Sequence, residues 1–284
     1  MLLFVQLLAI LLAFPMQQAG LAAFEDPGSV ANPLIFIAIL LALTFVMLMM
    51  IRRGVRRIIA LFIAFSIFIA FIYIFGSLSL LYLGMTVVSG VISVALAGAA
   101  TAILYLYPEW YVIDILGVLI AAGIASLFGI SLSILPVIVL LVLLALYDAL
   151  SVYRTKHMIA LAEGVLDMKT PILVVIPKRR TYSFIKEGVR VGDSERGAYI
   201  MGMGDLIMPS ILVVSSHVFL GPPSLLPSSL PTIGAMAGSL AGMAVLLFMV
   251  QQGKPHAGLP PLNAGVIGGF LIGCALSGMG VFCI

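Results

Sequence analysis

An acidic residue interrupts an apolar run in the stretch Met201-Gly202-Met203-Gly204-Asp205-Leu206-Ile207-Met208-Pro209. The run extends from Ala198 to Leu220, which is long enough for a helix that spans a bilayer. A charge near the bilayer interior is costly, so the carboxylate of Asp205 indicates a functional site. The alternative is a buried structural acid beside packing glycines.

Two glycines and a proline make the backbone around this acid unusual. Gly202 and Gly204 leave both sides of Met203 without side chains, which predicts that another segment approaches the main chain closely. Pro209 lies four residues after Asp205 and cannot donate a hydrogen bond to its carbonyl. We therefore expect the helix to bend or loosen at the carboxylate.

Composition places the chain in a membrane. Of its 284 residues, 63% are hydrophobic and only 9% are charged, whereas about a quarter of a soluble domain is charged. The chain has one Trp, and its basic residues are not interleaved with aromatic ones, so we expect no nucleic-acid partner. Cys274 and Cys283 both fall in the last apolar segment and support neither a disulfide framework nor a zinc site.

Apolar runs long enough to span a bilayer predict an all-α polytopic membrane protein with nine transmembrane helices. The runs cover residues 2–24, 33–51, 57–76, 80–106, 110–128, 132–153, 198–220, 230–250 and 262–283. No basic residue precedes the first run, as a signal peptide would require, so we count it as a span. The chain then divides into a six-span bundle (1–153), a cytoplasmic connecting segment (154–197) and a three-span bundle (198–284).

The Lys and Arg residues predict the orientation. All 14 lie in the connections that follow the second, sixth and eighth spans. Because basic residues favour the cytoplasmic side of a membrane, we expect a multi-pass protein of the cell membrane with its N-terminus in the cytoplasm and its C-terminus outside.

Two further patterns concern local structure. The apolar piece Pro171–Pro177 is rich in β-branched residues and bounded by prolines, so it predicts a short strand or an interfacial segment. The charged remainder, 178–196, is either a mobile loop or a plain solvated linker. Glycines at intervals of four in spans eight and nine predict close helix packing rather than a ligand site: Gly234, Gly238 and Gly242, and Gly265, Gly269 and Gly273.

Of the eleven Asp and Glu residues, only Asp148 in span six and Asp205 in span seven lie away from loops and span ends by this reading. Asp148 precedes Arg154 by six residues, or about 9 Å along a helix. Asp205 lies seven residues, or about 10 Å, into a span that runs the opposite way. We expect two antiparallel neighbours to present one carboxylate each at the same depth.

Such a pair suits hydrolysis. Two close carboxylates in a low-dielectric site cannot both ionise readily, so they can share a proton. The ionised member then takes a proton from a bound water, while the protonated member donates a hydrogen bond to a scissile carbonyl. The histidines show no paired ligand spacing, so we expect no metal site and no cofactor: His157, His217 and His256.

Three motifs in order resemble those of presenilin-type intramembrane aspartyl proteases. The YD, GxGD and PAL motifs correspond to Tyr147-Asp148, Gly202-Met203-Gly204-Asp205 and Gly258-Leu259-Pro260-Pro261-Leu262. The resemblance covers essentially the whole nine-span chain, and the short loops are most similar to those of archaeal presenilin homologues. Signal peptide peptidases are similar but have inverted topology, and the basic residues here favour the presenilin orientation.

The resemblance implies an aspartic endopeptidase that cleaves transmembrane helices of membrane-protein substrates, with Asp148 and Asp205 as its catalytic pair. Pro261 departs from the Ala of the family motif and removes one more backbone donor. The remaining residues implied to shape the site are Tyr147, Gly202, Met203 and Gly204, and those implied to engage substrate are the PAL-like Pro260, Pro261 and Leu262.

The expected partners are transmembrane protein substrates, the lipid bilayer and further copies of the chain. A substrate helix must unwind before water can attack it. The unwound segment could then pair with exposed backbone at 171–176 or near Pro260–Leu262.

Two other functions compete with this reading. A proton-coupled secondary transporter also uses intramembrane acids and broken helices, although its halves are often repeated and no repeat is evident here. A membrane scaffold would explain the packing glycines but would leave both buried acids without a reason.

Overall fold

The computed structural model describes residues 1–152, 173–177, 198–221, 227, 229–251 and 257–278. Most of the connecting segment therefore lies outside the described residues, as do His157, His256 and Cys283. Within the described part the chain forms nine helices and a two-stranded sheet: α1 Leu2–Gln18, α2 Ala31–Arg52, α3 Arg56–Leu83, α4 Val87–Leu106, α5 Trp110–Ser131, α6 Ile134–Leu150, β1 Leu173–Pro177, β2 Ala198–Gly202, α7 Met203–Leu220, α8 Leu230–Gln251 and α9 Leu259–Leu276.

The nine-helix prediction is confirmed, with shifted boundaries. Seven of the described helices are long and apolar enough to cross a membrane, and α1 and α6 are shorter apolar helices. The turn between α3 and α4 lies later than expected, because Gly84 at φ +69° ends α3, a conformation that glycine adopts without strain. Thr86 then begins α4 by accepting a hydrogen bond from the backbone N–H of Ser89 at 3.1 Å.

Helices α1, α5 and α7 pack against one another at the centre of the fold. Every residue of α7 from Pro209 to His217 is buried. The first span is part of this core, since Val5, Ala9 and Met16 are fully buried. By contrast, no residue in the most apolar part of α2 is buried. Lipid tails solvate such a face as well as protein side chains do.

Helices α8 and α9 meet through their glycines, which confirms the packing prediction. A Cβ atom on Gly238 would collide with the carbonyl of Gly265 and lie 2.8 Å from the Cα of Gly269. The same holds at the ends of the interface, where Gly242 faces Pro261 and Leu262, and Gly273 faces Leu230 and Pro231. The two backbones are therefore too close for any side chain at these positions.

Of the two expectations for the apolar piece of the connecting segment, the short strand is confirmed, but the residues that pair with it were wrongly expected to be helical. Leu173–Pro177 pairs antiparallel with Ala198–Gly202, with Val175 opposite Ile200. Those five residues were expected to open the seventh span. A short apolar run cannot be distinguished as strand or helix from its periodicity alone, and the pairing with β1 decides the outcome. Helix α7 consequently begins at Met203.

Candidate active site

Asp148 lies in the last turn of α6 and is only 4% exposed. Its Oδ2 atom accepts a hydrogen bond from the backbone N–H of Leu259 at 3.0 Å, and the backbone N–H of Gly258 lies near enough to favour the charge of this carboxyl. Both N–H groups belong to the start of α9, where the first N–H groups of a helix have no acceptor within the helix. The carboxyl of Asp148, on α6, supplies an acceptor for that of Leu259.

Asp205 is the third residue of α7 and is partly buried. It lies in the first turn rather than two turns into the helix as the sequence suggested, since β2 occupies the residues before Met203. Helix α7 is continuous through Pro209. The proline leaves the carbonyl of Asp205 without an intrahelical donor.

One turn of backbone brings the two acids together. A Cβ atom placed on Gly258 would lie 3.0 Å from both Oδ1 and Oδ2 of Asp205, while the N–H of the same glycine points to Asp148. The two side chains are near enough for a charge on Asp148 to act on Asp205. The structure thus places the two carboxyls, from the end of one helix and the start of an adjacent one, next to the same residue, Gly258.

The glycines of the GxGD motif are less enclosed than expected. A Cβ atom on Gly204 would meet no described atom within 4 Å, so the described residues do not make the expected close approach there. At Gly202 a Cβ atom would touch Oδ2 of Asp205 at 3.7 Å, an ordinary contact. Met203 between them is 8% exposed and packs on α5, where a Cβ atom on Gly117 would lie 3.3 Å from its Sδ.

Pro260 and Pro261 lie in the first turn of α9. Proline is well accepted there, because an N–H group in that turn would have no acceptor within the helix. The substitution of Ala by Pro in the PAL-like motif therefore removes no helical hydrogen bond, and the donors to Asp148 come from residues upstream of it. Pro260–Leu262 is helical in this structure and so presents no strand edge of its own, and pairing of a substrate with backbone near this segment stays a prediction.

Leu262 and Asn263 anchor the start of α9, and Asn263 ties it to α6. Leu262 is fully buried. Asn263 donates a hydrogen bond from Nδ2 to the carbonyl of Leu141 on α6 at 2.8 Å. This contact joins the helix that carries Asp148 to the helix whose N–H groups reach it. Tyr147, adjacent to Asp148, is half-buried.

Sequence reasoning missed three features of the site and of the neighbouring helix α5. The backbone donors of Gly258 and Leu259 carry no side-chain signal. Gly117 is one of many glycines in apolar spans. Asp114 was grouped with the acids at span ends, yet it is 4% exposed and lies three residues before Gly117 on the same face of α5. A carboxylate five residues into an apolar span was the available signal.

The chemistry of this arrangement is that of a paired acid and base. Two carboxyls that meet beside one backbone turn can share a proton, and a water or a carbonyl group can approach over the open side at Gly204. Among the described residues, no cluster of three His, Cys, Asp or Glu side chains could hold a metal ion.

Comparison with known proteins gives concordant results. The chain matches the family model described as "Signal-peptide peptidase, presenilin aspartyl protease" over residues 1–279. It is 59% identical to a chain from the "Structure of a presenilin family intramembrane aspartate protease in P2 space group", with a TM-score of 0.72 and coverage of 97% of this chain and 95% of that one. A second structure of such a protease, in space group C222, is 58% identical with the same TM-score, and the match covers 97% of this chain and 96% of that one. Comparison with curated proteins gave no match.

Proposed function

The chain belongs to the signal-peptide peptidase and presenilin aspartyl protease family and is an intramembrane aspartic endopeptidase, and we propose that Asp148 and Asp205 are its catalytic pair. The observation that carries the assignment is their convergence on Gly258 from two helices. Asp114 is also deeply buried among the described residues, but it lies on α5, whereas Asp148 and Asp205 lie on α6 and α7.

The substrates of this multi-pass enzyme are transmembrane proteins. Peptide bonds within a membrane-spanning helix are shielded by its own hydrogen bonds, so the helix must unwind locally before hydrolysis. In the pair, one carboxylate would take a proton from water while the protonated carboxyl donates to the carbonyl of the bond to be cleaved. The open side at Gly204 gives the unwound segment a place beside Asp205.

We propose that the two-stranded sheet receives the unwound substrate. Strand β2 runs directly into Met203 and so ends two residues before Gly204. Each strand of a two-stranded sheet has one edge that its partner leaves unpaired, and an extended peptide can add to such an edge through main-chain hydrogen bonds. Peptide added along the sheet would lie near Asp205. Substrate contact by the PAL-like residues remains a prediction, and Leu262 can contribute only through packing while it is fully buried.

The proposed orientation has a cytoplasmic N-terminus in the cell membrane. The basic residues after even-numbered spans support it. A second support is that Cys274, near the end of α9, is disulfide-bonded, contrary to the sequence expectation. Disulfides persist in oxidising compartments, which agrees with an extracellular C-terminal end. Both catalytic acids would then lie towards the cytoplasmic face. The three-part division of the chain and assembly into homo-oligomers stay predictions.

The experiment that tests the proposal uses purified protein in sealed liposomes. Native protein and the double variant Asp148→Asn, Asp205→Asn are given a transmembrane peptide, and products are identified by mass spectrometry. Parallel vesicles report proton uptake, which tests the transporter hypothesis. We expect cleavage by the native protein only. Equal cleavage by the double variant would contradict the assignment, and proton uptake without cleavage would favour transport.

A further inference from the structure

The two carboxyls of the pair have different hydrogen-bonding surroundings. Asp148 accepts a hydrogen bond from the backbone N–H of Leu259 at 3.0 Å, and the backbone N–H of Gly258 lies near the same carboxyl. The carboxyl of Asp205 accepts no hydrogen bond from the residues that the structure describes and faces the bare Cα of Gly258. Hydrogen bonds from N–H groups favour the ionised form of a carboxyl over its protonated form.

We propose that the first turn of α9 holds Asp148 as the ionised member of the pair, which makes Asp148 the base that activates water and Asp205 the acid that serves the scissile carbonyl. This inference rests on the proposed function and adds to it a role for each acid. It also makes Gly258 and the N–H of Leu259 positioning elements of the reaction.

The fields of the helix ends must be weighed against these hydrogen bonds. The C-terminal end of α6 disfavours a charge on Asp148, and the N-terminal end of α7 favours one on Asp205. The N-terminal end of α9 opposes the first effect, because it points at Asp148. A direct hydrogen bond to a charged acceptor is stronger than the field of one helix end, so the bond from Leu259, helped by the nearby N–H of Gly258, decides the balance at Asp148. A carboxylate as enclosed as Asp148 also requires such partners.

The assignment gives a balanced reaction. The water oxygen bonds to the carbonyl carbon as one water proton passes to Asp148 and the proton of Asp205 passes to the carbonyl oxygen. The result is a neutral gem-diol. The carbon–nitrogen bond then breaks as Asp148 gives its proton to the leaving nitrogen and one hydroxyl of the diol returns a proton to Asp205. The products are an amine and a carboxylic acid, and both side chains regain their starting states.

Glycine at position 258 is explained by the same geometry. Its φ of −79° and ψ of −40° are open to any residue, so conformation does not demand glycine. The demand comes from Asp205, whose two carboxyl oxygens would each lie 3.0 Å from a Cβ atom there. Gly258→Ala is therefore expected to displace the carboxyl of Asp205 and to lower kcat while the protein stays folded. Gly268→Ala is the matched control on α9, since its Cβ atom would meet no described atom within 4 Å.

The N–H of Leu259 can be tested without changing a side chain. Replacing Leu259 by the corresponding α-hydroxy acid turns its amide into an ester and deletes only the donor to Asp148. Losing one hydrogen bond to a charged group corresponds to about a tenfold to hundredfold fall in kcat. KM should stay unchanged, because this N–H binds Asp148 and not the substrate. Leu259→Ala, which keeps the N–H, is the control for side-chain packing.

The outcomes of the ester experiment separate the two proposals. An inactive native protein would overturn the proposed function. An active native protein with an ester variant within twofold of its kcat would overturn only the present inference. A fall in kcat that Leu259→Ala shares in full would also overturn it, because side-chain packing would then explain the loss.

Infrared spectroscopy of protein with isotope-labelled aspartate tests the roles directly. Subtracting the spectrum of the double variant Asp148→Asn, Asp205→Asn removes the signals of Asp114 and the loop aspartates. We expect the difference spectrum of the native protein to show one protonated carboxyl and that of Asp205→Asn to show none. A protonated carboxyl that survives in Asp205→Asn would place the proton on Asp148 and overturn the assignment.

Discussion

Replacing Gly269 by Ala tests whether the contact between α8 and α9 positions the catalytic turn. A Cβ atom at Gly269 would collide with the carbonyl of Gly234 and lie 2.6 Å from the Cα and 2.8 Å from the N of Gly238. Carbon atoms in contact normally lie about 3.5–4.0 Å apart. The two helices must therefore separate by roughly 1 Å, since backbone atoms cannot rotate away as side chains do.

The expected loss of stability in Gly269→Ala is estimated by comparison with the same change at Gly268. Gly268→Ala makes the same chemical change one residue earlier, where a Cβ atom would meet no described atom within 4 Å. Both variants gain helix propensity, which favours Ala over Gly by about 1 kcal/mol, so this gain cancels in the comparison. Overpacking typically costs about 1–3 kcal/mol. We expect Gly269→Ala to be less stable than Gly268→Ala by that amount.

The assays are unfolding by denaturing detergent and cleavage of a transmembrane peptide. Gly269 lies ten residues, or about 15 Å, along α9 from Leu259, so a separated helix moves the N–H donor away from Asp148. A displacement of about 1 Å near reacting groups can lower a rate roughly hundredfold. Equal stability and equal cleavage by the two variants would refute the reasoning about this interface.

Three further changes have expected outcomes. Asn263→Leu removes the hydrogen bond to Leu141, but it also removes a buried Oδ1 atom that has no partner among the described residues. The free energy of unfolding should therefore change by less than about 1 kcal/mol. A larger loss would show that the hydrogen bond stabilises the protein more than this argument allows. Gly204→Leu fills open space beside Asp205 and should lower cleavage far more than the amount of folded protein, as judged by gel filtration; the reverse would make the glycine purely structural. Gly117→Ala adds a methyl group 3.3 Å from the flexible Sδ of Met203, so its unfolding free energy should fall by less than about 1 kcal/mol; a loss of several times that would show a rigid contact.

The sequence predicts the helices well because lipid imposes a simple rule. A spanning segment must be long and apolar, and so the nine runs are readable directly. The glycines of α8 and α9 are readable too, since their spacing of four places them on one helix face. The convergence of Asp148 and Asp205 was expected from the depth of each acid, although Asp205 lies closer to its helix end than the spacing suggested.

Backbone groups and pairing partners lie beyond what the sequence predicts. The run Ala198–Gly202 is apolar and short, and only the presence of β1 makes it a strand. The N–H of Leu259 is the same group in any residue, so nothing in the sequence shows that it reaches Asp148. A glycine in a sequence can mark either a close approach of another segment to the backbone or an open space beside it. The structure assigns close approach to Gly258 and open space to Gly204.

The central claim is that Asp148 and Asp205 work as one unit, and cleavage rates of two single variants and their double variant test it. Groups that act as a unit give strongly non-additive losses. We expect Asp148→Asn, Asp205→Asn and the double variant, all folded, to lose kcat/KM to the same extent, by at least about a thousandfold. A single variant that keeps cleavage within tenfold of the native rate would contradict the claim, and so would a double variant whose loss equals the product of the two single losses.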